Sequence, residues 1–235
     1  MAKLWFCISI FLLMGVKAFS QEEVIEELEY HNYPTKIPEK LSPILEGDFK
    51  IPTTLNNKAF RKIANGVADA NILFQYPITK NILIGAGFKY GYYQFVDFLT
   101  GNSFSNSGKL FSHSPYGRLS YLKFANPRCF FQFSAKAGYS IMNFNSFTCT
   151  NLGEKQPSQE FFFIEPQISV HIFVDESLSF SMGVSDYIGF KNFNPSVMCL
   201  DSFSGYDASD SVGNYNMLGI GFGFTYFFNK QGEKR

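Results

Sequence analysis

Three groups of residues have the types to do chemistry. The first is a set of ionisable side chains in segments where polar and apolar residues alternate: Asp69, Lys89, Arg118, Lys136, Glu165 and His171. Each occupies a polar position of its segment, so all six fall on one face of whatever sheet the segments build. Buried charges persist only when paired and hydrogen-bonded. The expected arrangement is an internal charge network in which Asp69 and Glu165 answer Lys89, Arg118 and Lys136. A narrow gated path for small solutes is the other arrangement these groups allow.

The second group is His113-Ser114, with Asp97 and Asp186 elsewhere in the chain. A serine nucleophile needs a base within hydrogen-bond reach and a third group to orient that base. Lipid hydrolysis or acyl transfer is the chemistry these parts suggest. Neighbouring residues on one strand point to opposite faces, however, which argues against a direct dyad, and no catalytic residue is assigned. The third group lies in segment 192–213, where Asp201, Asp207 and Asp210 mix with Phe193, Phe203 and Tyr206. It is acidic and aromatic enough to meet a partner or an ion, but its spacing lacks the closing Glu of a calcium loop. Solvated surface is the plainer reading.

Other chemistries find little to work with. No CxxC or Cys/His spacing marks a metal site, and the glycines alternate with aromatics instead of forming a phosphate-binding loop. No metal and no cofactor is therefore expected. Lys+Arg and Asp+Glu both number 20, giving a net charge of +0, so no basic field draws the chain to nucleic acid.

The elements that must position these residues are legible in composition and period. Aromatics reach 18% while charged residues stop at 17%, below the roughly 25% usual in soluble domains. The mean hydropathy of -0.05 is nevertheless far too polar for a helical membrane protein. A sheet with one greasy and one polar face gives both numbers at once, because the two faces cancel.

Residues 1–20 have the form of a secretory signal: Lys3, an apolar run from Leu4 to Val16, then Ala18-Phe19-Ser20 before a cut at Gln21. Cys7 inside the run has no lipobox context. Removing the signal leaves Cys129, Cys149 and Cys199, an odd number, so at least one thiol is free or pairs between molecules. Cys149 and Cys199 fall in long polar segments that the strand order read below places on the same side of a membrane. They can form a disulfide or remain unpaired small hydrophobes. Residues 21–47, with five glutamates followed by Pro34, Pro38 and Pro43, read as an acidic lead-in exposed to water.

Seven strand-like runs follow, at 67–79, 81–96, 115–124, 130–143, 161–174, 177–190 and 214–228. Most exceed the roughly 5–6 residues of a globular strand and are long enough to cross a membrane at a tilt. Short turns at Thr79-Lys80-Asn81, Asn126-Pro127-Arg128 and Asp175-Glu176-Ser177 alternate with long polar segments near 97–113, 145–159 and 192–213. That asymmetry is characteristic of membrane barrels. Parity then requires an eighth strand within 48–64, so the barrel is expected over 48–228 with a polar tail at 229–235. The polar face is mostly Gly and Ser, which suits a cramped interior better than a wetted exterior. Asp186 breaks the apolar face, and a bulge or a place above the hydrocarbon is expected there.

The run Leu55-Asn56-Asn57-Lys58-Ala59-Phe60-Arg61-Lys62 and the ending Gly-Phe-Gly-Phe-Thr-Tyr-Phe-Phe at 221–228, with paired Gly- and Tyr-rich strands between, resembles the small outer-membrane β-barrels of Bacteroidetes. These in turn are similar to eight-stranded barrels of the OmpA/OmpX type. The resemblance implies an all-β, closed antiparallel transmembrane barrel in the bacterial outer membrane, monomeric and in contact with outer-membrane lipid. Such barrels usually end on an aromatic residue, whereas here Phe228 is followed by the tail. The expected role is non-enzymatic: a membrane scaffold, or an envelope-assembly component meeting protein partners through its outer loops. A lipid-modifying enzyme and a narrow pore are the alternatives.

Overall fold

The alternating segments become eight strands in the computed structural model, which describes residues 34, 36–38, 41–95, 108–145, 157–193 and 213–228. They are β1 (Ile44–Thr54), β2 (Ala64–Pro77), β3 (Ile82–Phe95), β4 (Lys109–Asn126), β5 (Cys129–Asn145), β6 (Ser158–Phe173), β7 (Leu178–Asn192) and β8 (Asn214–Phe227), with a short helix α1 (Lys58–Ile63) after β1. Every strand pairs antiparallel with its sequence neighbours. The first and last strands also pair, from Ile44↔Phe227 to Thr54↔Met217, so the sheet closes into a barrel without an edge.

Local chemistry sets the turns at one end. Thr79 Oγ1 accepts from the amides of Asn81 and Ile82 at 3.3 and 3.1 Å. Asn126 Oδ1 accepts from Arg128 N at 2.8 Å. Asp175 Oδ1 accepts from Ser177 N and Leu178 N at 2.6 and 2.8 Å. A short polar side chain bonding the backbone two residues on is what makes Thr, Asn and Asp good turn formers. At the opposite, long-loop end, Asn57 caps α1 by accepting from Phe60 N at 3.0 Å, and its amide donates to Gly213 O at 2.9 Å. Gly213 has φ 127, a conformation that side chains disfavour.

Burial alternates along each strand, and it is the apolar side that faces out. Phe49, Ile51, Phe74, Phe133, Phe162, Ile168, Phe222 and Phe224 are all exposed, Phe162 to 67%. Tyr76, Tyr121 and Tyr226 lie on the outer face towards the tight-turn end, and Tyr90 and Tyr92 towards the long-loop end. Water would penalise this surface by about 1.5–3 kcal/mol for each large apolar side chain left uncovered. Lipid removes that penalty, and tyrosine at both margins fits a bilayer's two interfaces.

The elements differ from the sequence expectation in four places. The barrel starts at Ile44, not at 48: Glu46 and Asp48 looked like the end of an acidic run but are buried at alternate positions of β1. The eighth strand that parity requires is β1, but it ends at Thr54 and α1 takes up most of the remainder of 48–64. β4 begins at Lys109, well before the expected 115. At Asp186 there is no bulge: the β7–β8 register runs unshifted from Leu178↔Tyr226 through Asp186↔Leu218 to Gly189↔Tyr215. Nor does Asp186 stand above the apolar face, because Phe190 beyond it and Val184 before it are both exposed. The signal segment 1–20, the tail 229–235, Asp97, Cys149 and Cys199 lie outside the described residues; Cys129 is a free thiol.

Candidate functional site in the lumen

The interior is layered. Near the tight-turn end, Leu41, Ile44, Leu83, Leu122, Phe130, Phe173 and Phe227 form an apolar cluster. Near the long-loop end, a larger cluster gathers Phe60 of α1 with Tyr93, Phe144, Phe161, Tyr187, Phe193 and Tyr215. Phe60 packs edge-on against Tyr215 at 5.0 Å between ring centroids, and Phe161 stacks on Tyr215 at 4.8 Å. Charges lie between these two plugs.

Glu165 of β6 is the hub. Its Oε1 accepts from Lys50 Nζ at 2.7 Å and from Lys136 Nζ at 3.4 Å, and its Oε2 accepts from Lys89 Nζ at 3.1 Å. Lys50 also donates to Gln167 Oε1 and Ser185 Oγ, both at 3.0 Å. Lys89 pairs with Asp69 Oδ2 at 2.8 Å and sits 4.4 Å above the Tyr187 ring. Asp48 lies 3.8 Å from Lys136 and accepts from Asn71 Nδ2 at 2.7 Å. On the tight-turn side, Arg118 Nη1 donates to Glu46 Oε1 at 2.7 Å, and Gln75 Nε2 donates to Glu46 Oε2 at 3.2 Å.

Four carboxylates (Glu46, Asp48, Asp69, Glu165) thus face four cations (Lys50, Lys89, Arg118, Lys136), all buried. Only a balanced and hydrogen-bonded set is tolerable in such a place, where one unmatched charge would cost several kcal/mol.

Of the six lumen residues expected from sequence, the fold brings five into this ion network. His171 reaches the lumen but stays apart from the ions. Its Nε2 lies 2.9 Å from Ser169 Oγ, and its ring stacks on Phe130 at 4.4 Å. The expected pairing of Arg118 with Asp69 or Glu165 is replaced by Glu46. Sequence reading missed Glu46, Asp48 and Lys50, the whole contribution of β1. Their signal was present: Glu46, Asp48 and Lys50 alternate with Leu45, Gly47 and Phe49.

The glycines of β8 make room for that contribution. A Cβ at Gly221 would strike the backbone oxygen of Phe49 and approach Lys50 Cγ to 2.8 Å. One at Gly223 would approach Asp48 Cβ to 2.9 Å. A cavity of about 10 Å³ lies beside Asp48, Lys50, Gln167 and Gly221, enough for about one water molecule.

The hydrolytic candidates do not assemble. Ser114 is buried in the lumen, where its Oγ donates to Ser140 Oγ at 2.9 Å. His113 faces outward beside Tyr90 at 5.2 Å between centroids. Asp186 is on the outer face of a different strand. Among the described residues no group of His, Cys, Asp and Glu could hold a metal ion.

No family model matches the chain, and no curated protein matches its sequence. Several solved structures are similar to it. Neisserial surface protein A is 12% identical with a TM-score of 0.49, over 79% of this chain and 97% of that one. The outer membrane protein OprG of Pseudomonas aeruginosa is 12% identical with a TM-score of 0.46, over 81% and 98%. The attachment invasion locus protein Ail of Yersinia pestis is 9% identical with a TM-score of 0.43, over 80% and 98%. These three give no support to a Bacteroidetes type. On its own residues, with an apolar outer face, two tyrosine margins and a lumen packed with paired ions, the chain is a closed eight-stranded antiparallel β-barrel of the outer-membrane kind.

Proposed function

We propose that the protein is a monomeric, non-enzymatic scaffold of the bacterial outer membrane, presenting its long-loop end outward for contacts within the envelope. The observation that carries this reading is a lumen filled by side chains. Among the described residues a buried ion network lies between two apolar clusters, with a cavity of about 10 Å³ beside it, and that packing favours a plugged interior over an open solute path. Tight turns at one end and long connections at the other support an orientation with the turns in the periplasm. A rigid closed cylinder holding long loops is suited to display, since binding residues concentrate on loops fixed by a stable frame.

Two measurements test the reading. Purified protein in planar bilayers is expected to give a flat trace at every voltage, and discrete conductance steps would return the narrow pore to first place. Alanine substitution of His113, Ser114 and Asp186, one at a time, is expected to leave the cellular lipid profile unchanged by mass spectrometry. A changed profile would favour the lipid-modifying enzyme.

A further inference from the structure

On the outer face at the long-loop margin, neighbouring sectors settle their charges differently. Across β5, β6 and β7 they are answered within the chain. The Tyr139 hydroxyl donates to Glu160 Oε2 at 2.7 Å, and Lys191 Nζ donates to the Glu160 carbonyl oxygen at 3.4 Å. Across β3, β4 and β5 they are not. The register sets Gln94, Lys109 and Asn145 in one row, and all three are exposed. Among the described residues Lys109 makes no ion pair. A cavity of about 200 Å³ opens beside it, lined by Gln94, Gly108, Lys109 and Asn145.

The rows beneath change character in order. Tyr92 and Phe111 come first, with ring centroids 5.4 Å apart, then Tyr90 and His113 at 5.2 Å. Phe88 and Pro115 follow, then Ala86 and Gly117, then Ile84 and Leu119. From Tyr92 down β3 and from Phe111 down β4, this face carries no Asp, Glu, Lys or Arg as far as Ile82 and Tyr121. An unpaired cation thus stands directly over an aromatic margin and an uncharged strip.

Aromatic rings mark the level at which headgroups lie, and a lysine at that level favours negative ones. The two carboxamides add N–H donors suited to phosphate oxygens. A soluble anion would meet the polar row alone. A lipid meets the row with its head and the rings and apolar strip with its chains, so it uses the whole surface. We infer that Gln94, Lys109 and Asn145 form a seat for the phosphate of an anionic outer-leaflet lipid, whose acyl chains run down β3 and β4. The inference rests on the membrane reading and the orientation proposed above.

The test uses the full mature chain folded into phosphatidylethanolamine vesicles containing phosphatidylglycerol, whose headgroup keeps the phosphate and lacks the neutralising ammonium. Native mass spectrometry of the extracted barrel reads the phosphatidylglycerol retained. Lys109→Gln, altered at an exposed side chain, is expected to fold and to lower that retention about fivefold, the ratio for about one lysine–headgroup contact. Lys109→Arg is expected to keep it. Lys191→Gln removes a cation of the same margin that already serves Glu160, and is expected to change it little. Equal retention by Lys109→Gln and the unaltered chain overturns the inference. So does an equal loss in Lys191→Gln, which would make any lysine of the margin sufficient. Displacement of the lipid by millimolar glycerol phosphate would assign the seat to a soluble anion and overturn it too. Failure of the chain to enter vesicles at all would instead strike at the membrane reading.

Discussion

The two strands that close the barrel contribute opposite things to it. On its inner face β1 carries Glu46, Asp48 and Lys50, bulky and charged. On its inner face β8 carries Gly219, Gly221 and Gly223, which contribute almost nothing but space. The register sets Lys50 against Gly221 and Asp48 against Gly223. A narrow lumen is filled by one strand yielding where the next intrudes, so a glycine column can be as specific as the charges it faces. The difference also separates two kinds of constraint. Glycine on β8 is required by shape, whereas the residues of β1 are required by charge balance with strands on the far side of the barrel.

That contrast can be broken most severely from the glycine side. Gly221→Leu is expected to prevent the β1–β8 pairing, at a cost above about 3 kcal/mol, with loss of the compact, heat-modifiable band on gel electrophoresis. Gly47→Ala, on β1, has its nearest obstacle at 3.8 Å, the carbonyl oxygen of Asn71, and is expected to fold normally on the same gel. If both variants fold alike, close approach is not what fixes the β8 glycines.

Next in size is the hub. Glu165→Leu leaves Lys50, Lys89 and Lys136 without their common acceptor and is expected to cost about 3–5 kcal/mol, read as a lower denaturant midpoint for unfolding from vesicles. Lys50→Met is expected to be milder, about 1.5–3 kcal/mol, because Glu165 keeps two ammonium partners. A double-mutant cycle between these positions should return a coupling of about 0.5–3 kcal/mol. Strict additivity would mean that β1 contributes bulk and no pairing. The smallest effect is expected at His113→Ala, outside the lumen, at under about 1 kcal/mol in the same unfolding measurement.

Legibility in the sequence followed the same divide. β8 was readable because Leu218, Ile220, Phe222, Phe224 and Tyr226 alternate with small residues, leaving no second interpretation of the period. β1 was not, because Glu46 follows a run of glutamates and prolines, and the composition of the preceding residues outweighed an alternation only a few positions long. Facing was correct for Asp69, Lys89, Arg118, Lys136 and Glu165, since period two decides which side a residue takes. Partnership was harder. Lys50 and Glu165 are separated by 115 positions, and only the closure and stagger of the sheet bring them together. The apolar plugs were equally hidden. Phe60 and Phe193 come from connections between strands, where no periodicity says that an aromatic ring turns inward.

Pairing between the first and last strands also fixes an order of events. β1 has no final neighbour until Phe227 has left the ribosome, so both margins of the sheet stay unpaired while the remaining strands are made. Hydrocarbon tolerates no such margins, and contacts this distant in sequence form slowly. Closure of the barrel therefore needs all eight strands, because only the pairing of β1 with β8 removes the last two edges.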